Sequence, residues 1–396
     1  MAGSIPGRRN RSLPLIANTD KQVVFDRGPL AGGTAFVMPE TIICAVTPEE
    51  VAPAFAALEH ARRNGKWLAG YASFELGYLL TGRLRPLLPS LRPEPLLLFG
   101  VFDAPRPAEP FRARGGEPNA GFSAFQPGWD FDRYRDAFGR VHAYIGAGDI
   151  YQANLTFPLT AEAHGTPAAL YVALAAHQPV PHGAFVDLGG PVLLSRSPES
   201  FFRISASGEI ETRPMKGTQP RSQNAATDAG RRAWPAADPK NRAENLMIVD
   251  LLRNDLSRVA EVGSVRVPEL FTVETFATVH QMTSRIVAQL RAGWSLDSLF
   301  AALFPCGSVT GAPKIRAMEI IRELEPEARG AYCGAIGWVS PDGAMEFNVA
   351  IRTLVLPGDG SVRLNVGGGI VHDSTAQAEY EEALWKARFA TSLSAS

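Results

Sequence analysis

Two prolines and a glycine within nine residues constrain this chain most, at Arg213-Pro214-Met215-Lys216-Gly217-Thr218-Gln219-Pro220-Arg221. Proline fixes φ and removes a backbone donor, and glycine admits left-handed geometry. A regular helix is therefore excluded, and an irregular strand or turn is expected. Lys216 lies in the middle of it. An unperturbed lysine has a pKa of about 10.4, so roughly one molecule in a few thousand carries a neutral amine at pH 7. A nucleophilic lysine needs burial or a cationic neighbour, and Arg213 and Arg221 are the candidates. For any single lysine a solvated turn residue is the commoner case, so the surroundings decide.

The chain has 396 residues, enough for two or three domains or one large fold. Its 45% hydrophobic and 20% charged content suits a globular enzyme. A net charge of −1 gives no reason to expect nucleic acid or a membrane surface as partner. No apolar run reaches the roughly 18 residues of a spanning helix. Arg8, Arg9 and Arg11 precede only a short apolar patch, Leu13 to Ala17, too short for a signal peptide. Cys44, Cys306 and Cys333 are few and far apart, which points to a reducing cytoplasm. None sits in a G-x-C-x-G elbow, so no built-in glutaminase nucleophile is expected.

Periodicity supplies the organisation. Pro48 to Asn64 and Phe131 to Gly146 read as helices, and Trp67 to Leu80 as a strand running into a helical turn. Three regions follow: 1–115, a linker at 116–130 that overlaps the Pro-, Gly- and Ala-rich, loop-like stretch 105–129, and 131–396. Asp149 to Leu159 reads as a strand. Pro191 to Arg213 reads as a hairpin turning at Ser207-Gly208. A regular register makes facing positions sum to about 415, which sets Glu199 opposite Lys216. Gln219 to Asp238 reads as polar and mobile, and Pro239 opens a helix to about Val259. Phe300 to Ala312 reads as a loop, and Pro313 as the first residue of a helix whose free N–H groups suit an anion. Met345 to Leu356 alternates as one strand. The Asp359-Gly360 turn then sets Arg352 opposite Gly367, in a register summing to about 719. Ala376 to Ala390 reads as a helix with Glu379, Glu382 and Lys386 on one face.

Arg352 beside Gly367-Gly368-Gly369 is a candidate carboxylate cradle, since a guanidinium fork and bare amides both donate to an anion. Taken alone it is more often an ordinary hairpin. Glu244, Glu379 and Glu382 offer oxygen ligands without histidine or cysteine, which suits a hard cation such as Mg2+. Singly, each is more often a solvated helix glutamate. His280 is equally a neutral hydrogen-bond donor or a satisfied buried histidine.

Six ordered segments together override these single-residue readings. They are Gly148 to Leu155, Ser197-Pro198-Glu199, Arg213 to Arg221, Ala243 to Leu251, Gly307 to Lys314, and Gly367 to Asp373 with Glu379-Tyr380-Glu381-Glu382. In combination they resemble the chorismate-utilising enzymes, strongly over about Phe131 to Ala390 and loosely before residue 100. The resemblance implies an α/β (α+β) fold with a two-sheet β-sandwich core flanked by helices. It implies Glu244 and Glu382 as Mg2+ ligands with Glu379 nearby, and Lys386 as a supporting charge. Relatives often carry an acid where this chain has Asn241. Arg352, Tyr332, Thr310, Gly368 and Gly369 are implied contacts to the substrate carboxylates, with Gly217 and Thr218 beside the lysine. Glu199 is implied as the general acid at the C4 hydroxyl, and His280 as a residue near the ring.

Two positions sort the branches of that family. Branches that add water use a lysine where this chain has Gln152, and an amide cannot act as a base. The anthranilate branch has alanine where this chain has Lys216, and lysine marks the aminodeoxychorismate branch. There the amine is taken to attack C2 as the C4 hydroxyl leaves, and ammonia then displaces it. The implied reaction amines chorismate to 4-amino-4-deoxychorismate for 4-aminobenzoate and folate synthesis. The implied partner is a separate glutamine amidotransferase subunit that delivers ammonia, and no fused lyase is expected. The rivals are an anthranilate-forming enzyme and a non-catalytic chorismate-binding or amidotransferase-docking scaffold.

Overall fold

Alternate residues along the strands face two different layers, and this builds the molecule. The computed structural model describes residues 21–113, 117, 120–276 and 279–393. The apolar patch at 13–17 and the arginines before it lie outside the described residues. One sheet runs Gln152–His164, Ser361–Ile370, Thr353–Leu356, Val192–Ser197, His182–Asp187, Gln22–Phe25 and Thr34–Val37. The other runs Met215–Pro220, Val279–Gln289, Glu209–Thr212, Ser200–Ile204, Met345–Val349, Ala335–Val339, Trp67–Ala72, Leu97–Phe102 and Thr41–Ala45. All of these neighbours pair antiparallel.

Val23, Val186, Leu193 and Val355 of the first sheet share a buried cluster with Tyr71, Leu98, Ile336 and Trp338 of the second. Their chain neighbours Val24, Phe185, Leu194 and Leu354 face the opposite way, into a cluster with Tyr134, Val141 and Ala383 of outer helices. On the far side of the second sheet, Leu68, Phe99 and Val339 pack with Leu58, Leu252 and Leu299 of other helices. The period-2 alternation thus makes a sandwich with helices on both outer faces, as the resemblance implied. No helix among the described residues is long and apolar enough to cross a membrane.

The structure corrects several expectations. Strands from the first hundred residues sit in both sheets, so residues on either side of the expected linker build one sandwich. The expected linker is part of the sandwich: Gly121–Phe122 and Gln126–Pro127 pair with the long Gln152–His164 strand, and Phe122 and Trp129 are buried. Ala225–Ala237 is a helix, capped by Asn224, where a mobile polar segment was expected. Gly230 and Pro235 disguise it, because both count against helix in a sequence. The helix Leu296–Leu303 takes the first four residues of the expected 300–312 loop. Pro313 is the N-cap, one residue before the helix Lys314–Leu324 begins.

Two corrections shape the site. The expected Pro191–Arg213 hairpin forms between Ser200–Ile204 and Glu209–Thr212, but its first strand is not continuous: Val192–Ser197 lies in one sheet and Ser200–Ile204 in the other. The continuous 345–356 strand also breaks, into Met345–Val349 and Thr353–Leu356 in different sheets. Arg352 lies at that break with φ 50°, a left-handed backbone uncommon outside glycine.

Candidate active site

Both crossings open onto one cavity of about 160 Å³, lined among others by Glu199, Lys216, Ser308, Tyr332, Arg352 and Gly367 to Gly369. The sequence placed most of these residues in one substrate-binding set, and the fold brings them together.

Glu199 is held by its backbone. Its carbonyl accepts from Val349 N at 3.1 Å, and its own N–H donates to Ser197 Oγ at 3.2 Å. The side chain is 8% exposed, and burial pushes its carboxyl up from the usual range. A hydrogen bond from Ser308 Oγ (2.8 Å) and the charges of Lys216 and His182 offset part of that rise. A carboxyl that holds its proton more tightly than usual beside a cavity is suited to act as an acid. Cys306 Sγ lies 3.2 Å from Ser308 Oγ, and burial pushes that thiol up to about 12. It is therefore no thiolate nucleophile at neutral pH.

Lys216 sits on the edge strand Met215–Pro220, where Lys216 pairs with Met282 but Thr218 with Gln281. Lys216 Nζ lies 3.8 Å from Glu244 Oε2, on the helix Pro239–Ser257. The cationic neighbours expected for it are engaged elsewhere. Arg213 Nη1 pairs with Glu274 at 2.7 Å, and Arg221 Nε with Asp228 at 3.0 Å.

Arg352 is half-buried, and desolvation draws its guanidinium down from the ordinary value. Among the described residues no carboxylate pairs with it. The strand Ser361–Ile370 passes beside it. That strand pairs with Thr353–Leu356 only at Leu354↔Leu364 and Val355↔Arg363, so its later residues have a neighbour on one edge alone. Lys386 Nζ donates to Gly367 O at 2.9 Å on the free edge. Gly367 and Gly369 therefore turn their backbone polar groups that way, and Gly368 turns its own toward the paired strand. The amide pair expected at Gly368 and Gly369 is thus better described as Gly367 and Gly369. A half-buried cation with no carboxylate partner, beside free amides, is an anion site.

The glycines also bring side chains close. A Cβ at Gly369 would lie 2.7 Å from Gln152 Nε2, and one at Gly368 3.0 Å from Glu379 Oε2. Gln152 is fully buried, and neither atom of its amide has a partner among the described residues. Buried amides are normally bonded, so this one awaits a ligand or water. Tyr332 reaches the cavity from a turn pinned by two buried acids. Glu75 accepts from Arg329 N and Gly330 N at 2.7 and 3.0 Å, and Glu94 from Ala331 N at 2.6 Å. Burial pushes the Glu75 carboxyl up to about 7.

The carboxylates expected to hold a metal do not line the cavity themselves but neighbour residues that do, Glu244 beside Lys216, Glu382 beside Lys386 and Glu379 beside Gly368. Glu379 and Glu382 stand on the helix Ala376–Lys386, and the charge of Lys216 acts both on Glu382 and, at 3.8 Å, on Glu244. Burial raises the Glu379 carboxyl, and Glu382 adds to the rise. Burial also acts on Glu382, but Lys386 (2.8 Å), Lys216 and Lys240 outweigh it and hold that carboxyl low. Among the described residues no three acids, histidines or cysteines converge into a ready cage. The donor set is nonetheless all oxygen, and Lys216 shares its charge between acids of both helices. A hard divalent cation fits that chemistry.

Other expected residues lie apart. Thr310 is fully buried and spends its hydroxyl on Cys306 O and Gly307 O, both at 3.2 Å. His280 does not line the cavity. Its Nε2 meets Asp228 Oδ1 and its Nδ1 Thr275 Oγ1, each at 3.0 Å. Of the two readings left open for it, the satisfied buried histidine is the one found. The next residue, Gln281, faces the lysine strand instead. Its Nε2 donates to Lys216 O at 2.7 Å, and its Oε1 accepts from Thr218 Oγ1 at 2.6 Å. Strand alternation was the available signal that only one of the pair could face that way. Ser308 was also missed as an active group, although it lies inside a quoted motif.

Comparison with known proteins accords with this geometry. A family model described as chorismate binding enzyme matches residues 46–392. Aminodeoxychorismate synthase component 1 of Klebsiella aerogenes is 47% identical over 260 residues, which are 66% of this chain and 57% of that protein. The match thus spans less than two thirds of that relative. Anthranilate synthase component 1 of Thermus thermophilus is 38% identical, covering 81% of this chain and 76% of that one. The crystal structure of anthranilate synthase component I from Streptococcus pneumoniae superposes with a TM-score of 0.77 at 26% identity, covering 97% of this chain and 95% of the other.

Proposed function

The chain belongs to the chorismate binding enzymes, and from that premise we propose that it aminates chorismate to 4-amino-4-deoxychorismate. The observation that carries the reading is that a lysine, Lys216, and a buried acid, Glu199, line one cavity. The reaction needs both a nucleophile and an acid at the same ring.

Arg352 and the free edge at Gly367 and Gly369 bind the substrate's carboxylates and orient the ring. The neutral Lys216 amine forms a bond to C2, and the ring double bonds shift. The C4–O bond breaks as Glu199 gives its proton to the departing hydroxyl, which leaves as water. Ammonia then bonds to C4, the double bonds shift back, and the C2–N bond to Lys216 breaks. The enolpyruvyl group stays on the ring, so no pyruvate is released. One difficult exchange becomes two displacements.

Glu244 and Glu382, with Glu379 beside them, would hold Mg2+, which when bound neutralises a substrate carboxylate. Ammonia comes from a glutamine amidotransferase subunit. The three cysteines are free, which accords with a reducing compartment such as the cytoplasm.

The Thermus thermophilus match, which covers more of both chains, favours a second reading, anthranilate formation. Intact-protein mass spectrometry separates the two. With chorismate and Mg2+ but no ammonia, the proposal predicts an adduct of chorismate less water on the parent and none on Lys216→Ala. An unmodified parent that releases pyruvate on adding ammonia overturns it.

A further inference from the structure

The strand that carries Lys216 slips by one residue against its neighbour. Lys216 pairs with Met282, Thr218 pairs with Gln281, and Gly217 between them has φ 64°. Such a bulge bends a strand and re-aims a side chain. It also leaves polar backbone groups outside the ladder, which need another partner.

Gln281 spans the slip. It is 6% exposed, and its two amide atoms bond the residues on either side of Gly217, Lys216 through its carbonyl and Thr218 through its hydroxyl. Gly217 has little room on its other side. A Cβ there would lie 3.1 Å from Pro235 Cβ and 3.2 Å from Asn241 Cγ. The bulge is thus held between Gln281 and the two helices that meet near residue 238.

We propose that Gln281 is the positioning residue that fixes the Gly217 bulge and so aims the Lys216 amine into the cavity. This rests on Lys216 being the nucleophile. The physical reason concerns charge. Lys216 faces Glu244 at 3.8 Å, an attraction present only while the ammonium is charged. The attacking form is the neutral amine, which loses that attraction when aim matters most. The bonds from Gln281 act on the backbone carbonyl and on Thr218, and neither depends on the lysine's charge. A primary amide supplies one donor and one acceptor at the required span. A carboxylate supplies acceptors only, and would repel the Lys216 carbonyl. If the amide merely glued two strands together, its loss would lower stability and leave the amine's environment unchanged.

The test uses Gln281→Met, close in size but without the two bonds, and Gln281→Glu, which keeps only the acceptor. The first readout is acetylation of Lys216 by acetic anhydride, followed by peptide mass spectrometry with Lys66, which pairs with Glu40 and Asp103, as internal reference. The second is kcat against KM for chorismate, and the third is the unfolding midpoint. Both variants are expected to change the Lys216:Lys66 labelling ratio by about threefold or more. They are expected to lower kcat by about tenfold or more, with KM within about twofold. A labelling ratio and kcat at parent values overturn the proposal, as does a kcat loss matched by the fraction unfolded. A Lys216→Ala protein that still aminates chorismate overturns the reading underneath. The labelling ratio then decides the Gln281 clamp by itself.

Discussion

Ser308 donates its hydroxyl hydrogen to Glu199 Oε1 at 2.8 Å, inside the cavity that also holds Lys216. The bond favours the ionised form of a carboxyl that burial drives toward its protonated form. Ser308 therefore tunes how readily Glu199 gives up its proton.

Ser308→Ala should raise the Glu199 pKa further. The proposed step needs protonated Glu199, so activity falls as pH rises through that pKa. In the variant this alkaline limb of kcat should move up by about 0.5 to 1 pH unit. A pH–rate profile checks it. A limb that stays put, or moves down, argues against Glu199 as the acid.

The opposite shifts of Glu379 and Glu382 lead to a metal prediction. Two acids one turn apart beside a cavity repel each other, and a divalent cation relieves that repulsion. Mg2+ should raise the unfolding midpoint of the parent, by an amount that grows with concentration. Glu382→Gln should need about tenfold more Mg2+ for the same rise. A midpoint blind to Mg2+ in both proteins would remove these carboxylates from a metal role.

Stability away from the site rests partly on Arg196, which is fully buried. It pairs with Asp26 through Nη1 at 2.6 Å and donates Nη2 to Gln178 O at 2.9 Å. Asp26→Ala leaves the guanidinium buried with its charge uncompensated, at a cost of about 3–5 kcal/mol in urea unfolding. Adding Arg196→Met should recover most of that loss, because an apolar residue needs no counter-charge. A double variant no more stable than Asp26→Ala would contradict this.

The fold was legible where periodicity is strict and less so where a turn decides the register. The Ser207-Gly208 turn was read as a two-residue loop, yet Ser205 N donates to Glu209 O and Gly208 N to Ser205 O. The loop has one residue more, with Gly208 at φ 81°, and Arg203 pairs with Glu211. Asp359-Gly360 made the same slip, so Leu354 pairs with Leu364. Each register was off by one. Glu199 and Lys216 still share a cavity, by another route: the chain crosses between sheets at Pro198, and Lys216 stands on a strand paired with the one carrying His280 and Gln281. Local pattern cannot reveal such crossings, because a crossing strand and a hairpin strand alternate alike. Motif order carried the active-site assignment, and residue type misled it once. His280 was given a place near the ring and Gln281 no role, although it is the glutamine that bonds the Lys216 carbonyl.

The most direct test is a product assay. Purified protein is incubated with chorismate, Mg2+ and ammonium at mildly alkaline pH, beside Lys216→Ala, and the products are identified by mass. The account predicts 4-amino-4-deoxychorismate from the parent, no pyruvate, and neither product from Lys216→Ala. Anthranilate with pyruvate from the parent would contradict it.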